Sequence, residues 1–595
     1  MADVQQLINF LLIIAPFIIA IILLLKLKWK ADTTGVFVWL LVIVIAFLAF
    51  NTPVDRIYFA SIAGIIDSFK ISLMVGASIL MITYMAECGA LDRVIVFVKT
   101  MKGTHPAWTI MLLNLGIGCF LVSIGATPVS ILPPIMLALG FSPLVSVALP
   151  AVGYDPLTTY ALLGIPAVIY QKEVGALQAD GIFLGVAPSL AEVGQAFSIY
   201  MPIISTGIAI AMLYVAGGKK MLFNKESLII ALISGVTAGV IAIISNYFGV
   251  VTLTGIFAGI GVALILALYA KIQGYPLFDR TNLTEKDLEI EKNMSLLRAT
   301  SPWILLVIFS MITNLVPPIY DLLFRELTFP ITIGPKMFMF IDIGSTITYT
   351  RNTYLLWQAY TWVMISVILS FFILPMNKTI MKSTLSKFKS RAIKPVISAA
   401  IFFAVAVVLN DSGTIPSDTT TNMVSILSSF TSDTLGNIFP LVVPFIGLLG
   451  GFVSGSEASS IKMFTKYHTE TANTLGMDAL TFGTSNGIGG GLASVLSPAK
   501  VQNAASTIDK IGIEGEVIKK TIGVSFLMVS VLSLMTWVWA YSLPTLNDFL
   551  ASIIFVGYIL LMLFLFALGY LFNLKRKTME NSQSPKGSDD KIEQE

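Results

Sequence analysis

The chain has 595 residues, of which 56% are hydrophobic and only 12% are charged, and its formal net charge is +3. Because about a quarter of the residues of a soluble domain are charged, this composition excludes an ordinary soluble protein and indicates a chain that crosses a bilayer many times. The two histidines lie far apart, which argues against a histidine metal site, and no phosphate-binding loop is present, so no cofactor is expected.

Apolar segments close to the length of a membrane helix recur along the chain, and they predict an all-α, polytopic membrane protein of about 12–14 transmembrane segments. The predicted spans lie at about 7–25, 34–50, 71–88, 195–216, 227–247, 250–270, 302–320, 353–375, 396–411, 521–542 and 549–572. Two further stretches, 106–170 and 438–508, are apolar but interrupted by polar residues, glycine and proline. We expect broken or re-entrant helices there, because irregular backbone at membrane depth must be enclosed by protein or line a watery cavity.

The distribution of Lys and Arg predicts the orientation of these segments in the cell membrane. Basic residues cluster in alternate loops, including the 271–300 stretch, whereas the intervening loops carry few. Since positively charged loops stay in the cytoplasm, the N-terminus is predicted to lie outside and the C-terminus inside the cell. The chain then divides into a first half (1–270), a cytoplasmic linker (271–300), a second half (301–574) and a polar tail (575–595) that is predicted to be disordered.

The two interrupted regions are predicted to cross the membrane in opposite directions. Region 106–170 starts at a basic, cytoplasmic loop, and region 438–508 starts at an outer loop. Each contains a turn of small and hydroxyl residues that is followed by a second break. This arrangement is typical of an inverted repeat, whose two units build the binding site of a secondary transporter. Two unrelated helices kinked by glycine and proline are the simpler alternative.

The turn SGSEASS in the second region places one carboxylate, Glu457, among small hydroxyl residues. A charged carboxylate at membrane depth is costly unless it is neutral, paired or hydrated, so Glu457 is a candidate proton carrier. Its alternative role is to cap the helix that follows, and the open end of such a helix is itself a seat for an anion. The candidate ligands of a small carboxylate in this region are Ser454, Gly455, Ser456, Ser459, Ser460, Ser485 and Asn486.

The first region contains one acid of its own, Asp155, in the segment GYDPLTTY. Asp155 is a second candidate for proton coupling or substrate binding, and its alternative role is to start the helix at Pro156. The matching polar candidates in this region are Gly125, Thr127, Thr158 and Thr159.

Three lysines lie inside the second region and are candidates for attracting an anion. Lys462 and Lys466 are four residues apart and share a helix face, so they can equally be solvated at a membrane surface. Lys500 follows the Ser497-Pro498 break. His468 can titrate near neutral pH, but its charged neighbours favour a surface position.

The segments GGFVSGSEASS (450–460), GGGLASVLSPAK (489–500) and EGEVIKKT (514–521) resemble the L-lactate permease family. That family comprises lactate and glycolate–proton symporters within a superfamily of elevator-like carriers. The first region departs from the family pattern, because segment 120–128 has no acid where the family usually has a glutamate. Asp155 can supply the missing carboxylate.

The resemblance implies a secondary transporter that imports small monocarboxylates by proton symport, with L-lactate as first candidate and D-lactate or glycolate as others. Segments 454–460, 485–487 and 125–128 would hold the carboxylate, Thr158 would lie near the 2-hydroxyl group, and Glu457 or Asp155 would take the proton. A carrier for another organic or inorganic anion, with sodium as the alternative coupling ion, is one alternative, and a channel is another. The expected partners are the anion, the proton and the lipid bilayer. No enzymatic activity and no nucleic-acid partner are expected, and the formation of a homodimer is left open.

Overall fold

The computed structural model describes residues 4–27, 29, 31–101, 105–125, 127–153, 155–281, 283–334, 347–414, 420–510 and 512–542. The described chain is almost entirely helical, and within it nine helices are long and apolar enough to cross a membrane, or eleven if two sharply bent helix pairs each count as one span. The protein is therefore a polytopic, all-α membrane protein, as predicted. The expected span at 549–572 and the tail at 575–595 lie outside the described residues.

The first half begins with apolar helices and then enters the first interrupted region. Its opening helices are α1 (Val4–Ile21), α2 (Ala31–Leu48), α3 (Val54–Asp67), α4 (Phe69–Glu87) and α5 (Ala90–Thr100). The interrupted region contains α6 (Pro106–Met111), α7 (Gly118–Ser123), α8 (Pro128–Ala138), α9 (Pro143–Gly153), a 3-10 helix (Asp155–Tyr160) and α10 (Ala161–Ala179). A π-helical turn joins α6 and α7 into one span, and α3 is a helix that the apolar pattern did not predict.

The rest of the first half is a helical layer that continues into the linker. Its helices are α11 (Leu190–Ser198), α12 (Met201–Leu222), α13 (Lys225–Tyr247) and α14 (Thr254–Ile272), followed in the linker by α15 (Glu285–Asn293) and α16 (Leu296–Ala299). Two ion pairs fasten the linker to α5: Arg93 contacts Glu291 at 2.9 Å, and Lys99 contacts Asp287 at 2.7 Å.

The second half contains one small β-hairpin and the second interrupted region. Its first elements are α17 (Ser301–Leu315), α18 (Pro317–Tyr320), β1 (Pro330–Ile333), β2 (Tyr349–Asn352), α19 (Ala359–Ser370) and α20 (Lys378–Asn410). The remaining helices are α21 (Met423–Leu435), α22 (Val443–Ser454), α23 (Glu457–Leu475), α24 (Ala479–Gly491), α25 (Pro498–Thr507) and α26 (Glu514–Ser542). The two strands pair in antiparallel register, with Ile331 opposite Arg351.

Helix α20 is longer than the span predicted at 396–411, because the basic stretch before it is also helical. Its 33 residues correspond to a rod of about 50 Å, which exceeds the roughly 30 Å of a hydrocarbon core. The basic N-terminal part of α20 therefore extends past the apolar core of a bilayer.

Helices α22 and α24 pack backbone to backbone, since glycines face each other across their interface. A Cβ atom on Gly451 would overlap the carbonyl oxygen of Gly490, and one on Gly447 would overlap that of Asn486. Small residues allow such approach, which strengthens van der Waals contact between membrane helices. The two helices of the second region are thereby held as one unit.

We expect Gly451→Val to destabilise the folded protein by about 3 kcal/mol or more, because the added atoms meet backbone that cannot move aside. The measurement is thermal unfolding of the purified protein in detergent, followed by tryptophan fluorescence. Gly523→Val in α26 is the matched control, since nothing lies within 4 Å of a Cβ atom at that position. Equal melting temperatures for the two variants would contradict the proposed packing constraint.

Candidate functional site

The break in the second region lies at the turn that the sequence analysis predicted. Helix α22 ends at Ser454, and Gly455 adopts a left-handed conformation with φ of 72° that a residue with a side chain would rarely take. Ser456 caps α23, because its hydroxyl accepts a hydrogen bond from the amide of Ser459 at 3.4 Å. The turn therefore directs the N-terminal end of α23, with Glu457 as its first residue, into the protein interior.

The break in the first region is longer and carries backbone strain. A 3-10 helix covers Asp155–Tyr160, and three consecutive residues follow in left-handed conformation: Leu162 at φ 54°, Leu163 at φ 59° and Gly164 at φ 76°. A non-glycine residue in this conformation costs about 1–3 kcal/mol, and such residues concentrate at functional sites. The predicted break at 153–166 is confirmed, but its strained part lies after the acid rather than at it.

The two breaks meet in the structure. The hydroxyl of Thr159 donates a hydrogen bond to Oε1 of Glu457 at 2.6 Å, across 298 positions of the chain. Gly491, at the end of α24, passes so close that a Cβ atom there would overlap the Thr158 hydroxyl and lie 2.8 Å from Oε2 of Glu457. A further hydrogen bond joins the two regions, since the side-chain amide of Asn503 donates to the hydroxyl of Ser130 at 3.1 Å.

A cavity of about 140 Å³, which has room for several water molecules, lies between the breaks. The wall of the cavity combines apolar and polar residues. The apolar wall consists of Ile71, Met74, Val75, Val122, Ala161, Leu162, Pro166, Ala399 and Ala458. The polar wall consists of Thr127, Thr158, Ser398, Ser454, Gly455, Ser456, Glu457, Lys500 and Asn503. The cavity therefore suits a small molecule with one polar end and a short apolar body.

Glu457 and Lys500 are the ionisable side chains among the described residues that line this cavity. Glu457 is only 4% exposed, and its Oε2 atom has no hydrogen-bond partner within the described structure. The ammonium group of Lys500 donates to the hydroxyl of Ser494 at 2.6 Å. Asp155 is also 4% exposed and lies behind the wall, where it interacts electrostatically with both Lys500 and Glu457. One cation, Lys500, thus interacts with two protein carboxyl groups.

Helix ends add to the positive character of the cavity. Glu457 is the first residue of α23, Thr127 directly precedes α8, and Lys500 lies in the first turn of α25. The N-terminal end of a helix carries a partial positive charge and unpaired N–H groups, which favour an anion. Three such ends converge on the cavity wall, so the site favours a negatively charged guest.

The cavity wall contains only some of the site residues that the sequence analysis predicted. Seven of them line it: Thr127, Thr158, Ser454, Gly455, Ser456, Glu457 and Lys500. The others lie outside the lining, namely Gly125, Asp155, Thr159, Ser459, Ser460, Lys462, Lys466, Ser485 and Asn486.

The hydroxyl groups outside the lining are used mainly within the protein. The hydroxyl of Ser460 donates to the carbonyl of Gly447 at 3.0 Å, and that of Ser485 donates to Phe482 at 3.1 Å. The carbonyl of Gly125 accepts a hydrogen bond from Ser78 at 2.9 Å. The Ser460 contact joins α23 to α22, whereas the Ser485 contact lies within α24. The residues that line the cavity are the better candidates for contact with a guest because they face it.

The predicted surface position of His468 is wrong. Its side chain is fully buried, and its Nε2 atom lies 3.1 Å from Oδ1 of Asn486. Helix α23 runs through the interior, where Phe439 and Phe464 pack near the imidazole ring. The charged residues that neighbour His468 in the sequence therefore did not indicate a solvent-exposed helix face. The side chain of Lys462 is 12% exposed and contacts Glu173 at 2.7 Å.

Two residues of the cavity wall were not predicted, Ser398 on α20 and Asn503 on α25. Asn503 had a usable signal, because it lies one helical turn after Lys500 and shares its face of α25. Ser398 lies in a long apolar helix that the sequence presents as an ordinary span, so only the packing of α20 against the site reveals it. No group of three or more His, Cys, Asp or Glu side chains suited to a metal ion occurs in the described ranges.

Comparisons with known proteins agree with this architecture over nearly the full length of the chain. The model of the family described as L-lactate permease matches residues 9–543. The glycolate permease GlcA of Escherichia coli is 23% identical over 580 residues, covering 89% of this chain and 95% of that protein. The L-lactate permease of Bacillus subtilis is 22% identical over 548 residues, covering 86% and 92% respectively. The L-lactate permease of Escherichia coli is 21% identical over 554 residues, covering 89% and 95%. Because the family model spans both interrupted regions and the helices around them, this protein belongs to the L-lactate permease family.

Proposed function

We propose that this protein is a secondary active transporter that imports a small monocarboxylate together with a proton. L-lactate is the first candidate substrate, with D-lactate and glycolate as close alternatives, and the names of the relatives support this class. The observation that carries the proposal is the cavity itself, which combines one cation, one carboxyl oxygen without a partner and an apolar wall. This arrangement serves binding and release, and we assign the protein no enzymatic reaction.

The substrate carboxylate would bind at the polar wall. Lys500 and the N-terminal end of α23 supply positive charge there, and the hydroxyl of Ser456 would donate a hydrogen bond. The hydroxyls of Thr127 and Thr158 donate to Ser130 and to the carbonyl of Asp155, and they would turn toward the substrate when it binds. The short carbon chain would lie against the apolar wall, near Met74 and Leu162. A dicarboxylate would bring two charges to a site with one cation, so the site favours a single carboxylate.

Proton coupling would follow from the charge balance of a buried site. When an anion enters a cavity shielded from water, its charge must be compensated, because an uncompensated charge is costly there. Protonation of Glu457 supplies that compensation, since it removes one negative charge beside the incoming one. We expect one proton to accompany each monocarboxylate, with Asp155 as the second candidate for the proton site.

Alternating access would follow from movement of the unit that contains the two broken regions, in the manner of an elevator. The contacts between the regions support a common unit, because Thr159 holds Glu457 and Asn503 holds Ser130. The inverted relation of the two regions, the division into two halves and the orientation of the termini remain predictions from the sequence.

The experiment that tests this function is uptake of labelled L-lactate into proteoliposomes. An inward proton gradient should drive accumulation above the external concentration, and a sodium gradient alone should not. Unlabelled D-lactate, glycolate and acetate should compete in counterflow, whereas succinate and sulfate should not. Sodium-driven uptake without a pH gradient, or preference for succinate, would favour the other anion-carrier class and overturn the proposal.

A further inference from the structure

Two helices outside the interrupted regions, α4 and α20, also contribute to the wall of the cavity. Their residues in the wall are Ile71, Met74, Val75, Ser398 and Ala399. The two helices pack together at this level, since a Cβ atom on Gly76 would lie 3.5 Å from Cγ2 of Val396. Within the described lining, the part of the wall that α4 and α20 supply is therefore apolar except for the hydroxyl group of Ser398.

The hydroxyl group of Ser398 has no hydrogen-bond partner within the described structure, although the side chain is only 2% exposed. Hydroxyl groups inside helices commonly donate to the carbonyl group one turn earlier. Ser205 does so in α12, where its hydroxyl lies 2.6 Å from the carbonyl oxygen of Met201. Ser398 makes no such bond, so its hydroxyl is available to a molecule in the cavity.

One other side-chain polar atom of the described lining is buried without a partner, and it is Oε2 of Glu457. The neighbouring hydroxyls of Thr127 and Thr158 already donate, to Ser130 and to the carbonyl of Asp155, each at 3.0 Å. A guest that pairs with either threonine must displace an existing hydrogen bond, whereas a guest that pairs with Ser398 displaces none. Leaving a buried polar group unpaired is unfavourable, so a guest with a matching group gains affinity at Ser398.

The position of Ser398 relative to the polar wall suits a guest with two polar groups. Helix α20 packs against both α23 and α25, which carry Glu457 and Lys500. Because the cavity has a volume of only about 140 Å³, a small acid whose carboxylate lies at Lys500 also reaches α20. A hydroxyl group on the carbon next to the carboxylate can both donate to and accept from the Ser398 hydroxyl. An acid without that group would leave Ser398 unpaired.

We propose that Ser398 is a specificity-determining residue that binds the 2-hydroxyl group of the substrate and so distinguishes 2-hydroxymonocarboxylates from monocarboxylates without that group. This inference rests on the proposed function, which places the substrate carboxylate at the polar wall. It gives Ser398 the role that the sequence analysis expected of Thr158. A site that hydrogen-bonds a substrate hydroxyl rejects the analogue lacking it more strongly than an apolar pocket distinguishes two hydrocarbon chains.

The test compares two pairs of acids that differ by one hydroxyl group, L-lactate with propionate and glycolate with acetate. Their dissociation constants are measured by competition against labelled L-lactate on the purified, full-length protein. The wild-type protein should bind the hydroxy acid of each pair about 10-fold more tightly. In Ser398→Ala the affinity for the two hydroxy acids should fall about 10-fold, and that for propionate and acetate should stay nearly unchanged. The ratio within each pair then approaches one.

Two further variants separate recognition of the hydroxyl group from a structural role. Ser366→Ala in α19 is the matched control, because the Ser366 hydroxyl is also buried without a partner in the described structure but lies outside the lining. It should keep the wild-type ratios. Thr158→Val should change the affinity for both acids of a pair by the same factor, since Thr158 faces the carboxylate.

The ratio within a pair is independent of the amount of folded protein, so a loss of stability cannot imitate the expected result. Unchanged ratios in Ser398→Ala, or ratios that approach one in Thr158→Val instead, would overturn the inference. Equal affinities within each pair in the wild-type protein would overturn this inference alone, because monocarboxylate binding itself would stand. Absence of binding of all four acids to the wild-type protein would refute the proposed function and the role of Ser398 together.

Discussion

Replacement of Glu457 by glutamine should abolish proton-driven accumulation of substrate while leaving exchange of substrate across the membrane. Glutamine keeps an oxygen that can accept the hydrogen bond from Thr159, and it resembles the protonated acid in charge, so the substrate should still bind. It cannot release a proton, and therefore the two fluxes are no longer linked. In proteoliposomes we expect uptake driven by a pH gradient to end at equal concentrations on both sides, and lactate–lactate counterflow to persist.

The partner variant Asp155→Asn decides which carboxyl group carries the proton. Asp155 lies behind the cavity wall, so its replacement should weaken binding through Lys500 without removing the dependence on the pH gradient. Undiminished gradient-driven accumulation in both variants would refute carboxylate coupling at this site. Loss of counterflow in Glu457→Gln would instead indicate that the side chain holds the two broken regions together.

Removal of the charge of Lys500 should impair both net uptake and exchange. The variant Lys500→Gln leaves the substrate carboxylate, Glu457 and Asp155 without their common cation. Truncation of one partner of a buried charge pair costs about 2 kcal/mol or more, which corresponds to a rise of at least about 30-fold in the dissociation constant for the substrate. The measurement is counterflow and equilibrium binding of labelled L-lactate with the purified variant.

Two controls belong to the Lys500 experiment. Lys500→Arg keeps the charge and should retain a measurable part of the affinity, whereas Lys519→Gln on the exposed face of α26 should behave as the wild-type protein. Wild-type affinity in Lys500→Gln would refute the role of this lysine as counter-ion of the substrate. A lower melting temperature in Lys500→Gln but not in Lys500→Arg would show that the ion also stabilises the fold.

The sequence alone identified the class of protein and the places where its helices break. Membrane helices have a strict compositional requirement, since every apolar segment must be long enough to cross the bilayer, and any polar interruption stands out against that background. For this reason the turn SGSEASS, the interruption around GYDPLTTY and the acid Glu457 were evident from residue order. The family resemblance, carried by segments such as 514–521, likewise depends on residue order.

The tertiary structure decided which polar groups face the cavity. Ser456 and Ser460 are both candidates in the sequence, but Ser456 lines the cavity whereas the hydroxyl of Ser460 donates to the backbone of α22. His468 is buried because neighbouring helices enclose α23, which local charge cannot show. Lys500 becomes the cation of the site only because α25 packs against α8. Contacts between residues hundreds of positions apart depend on how helices pack, and local periodicity contains no information about that.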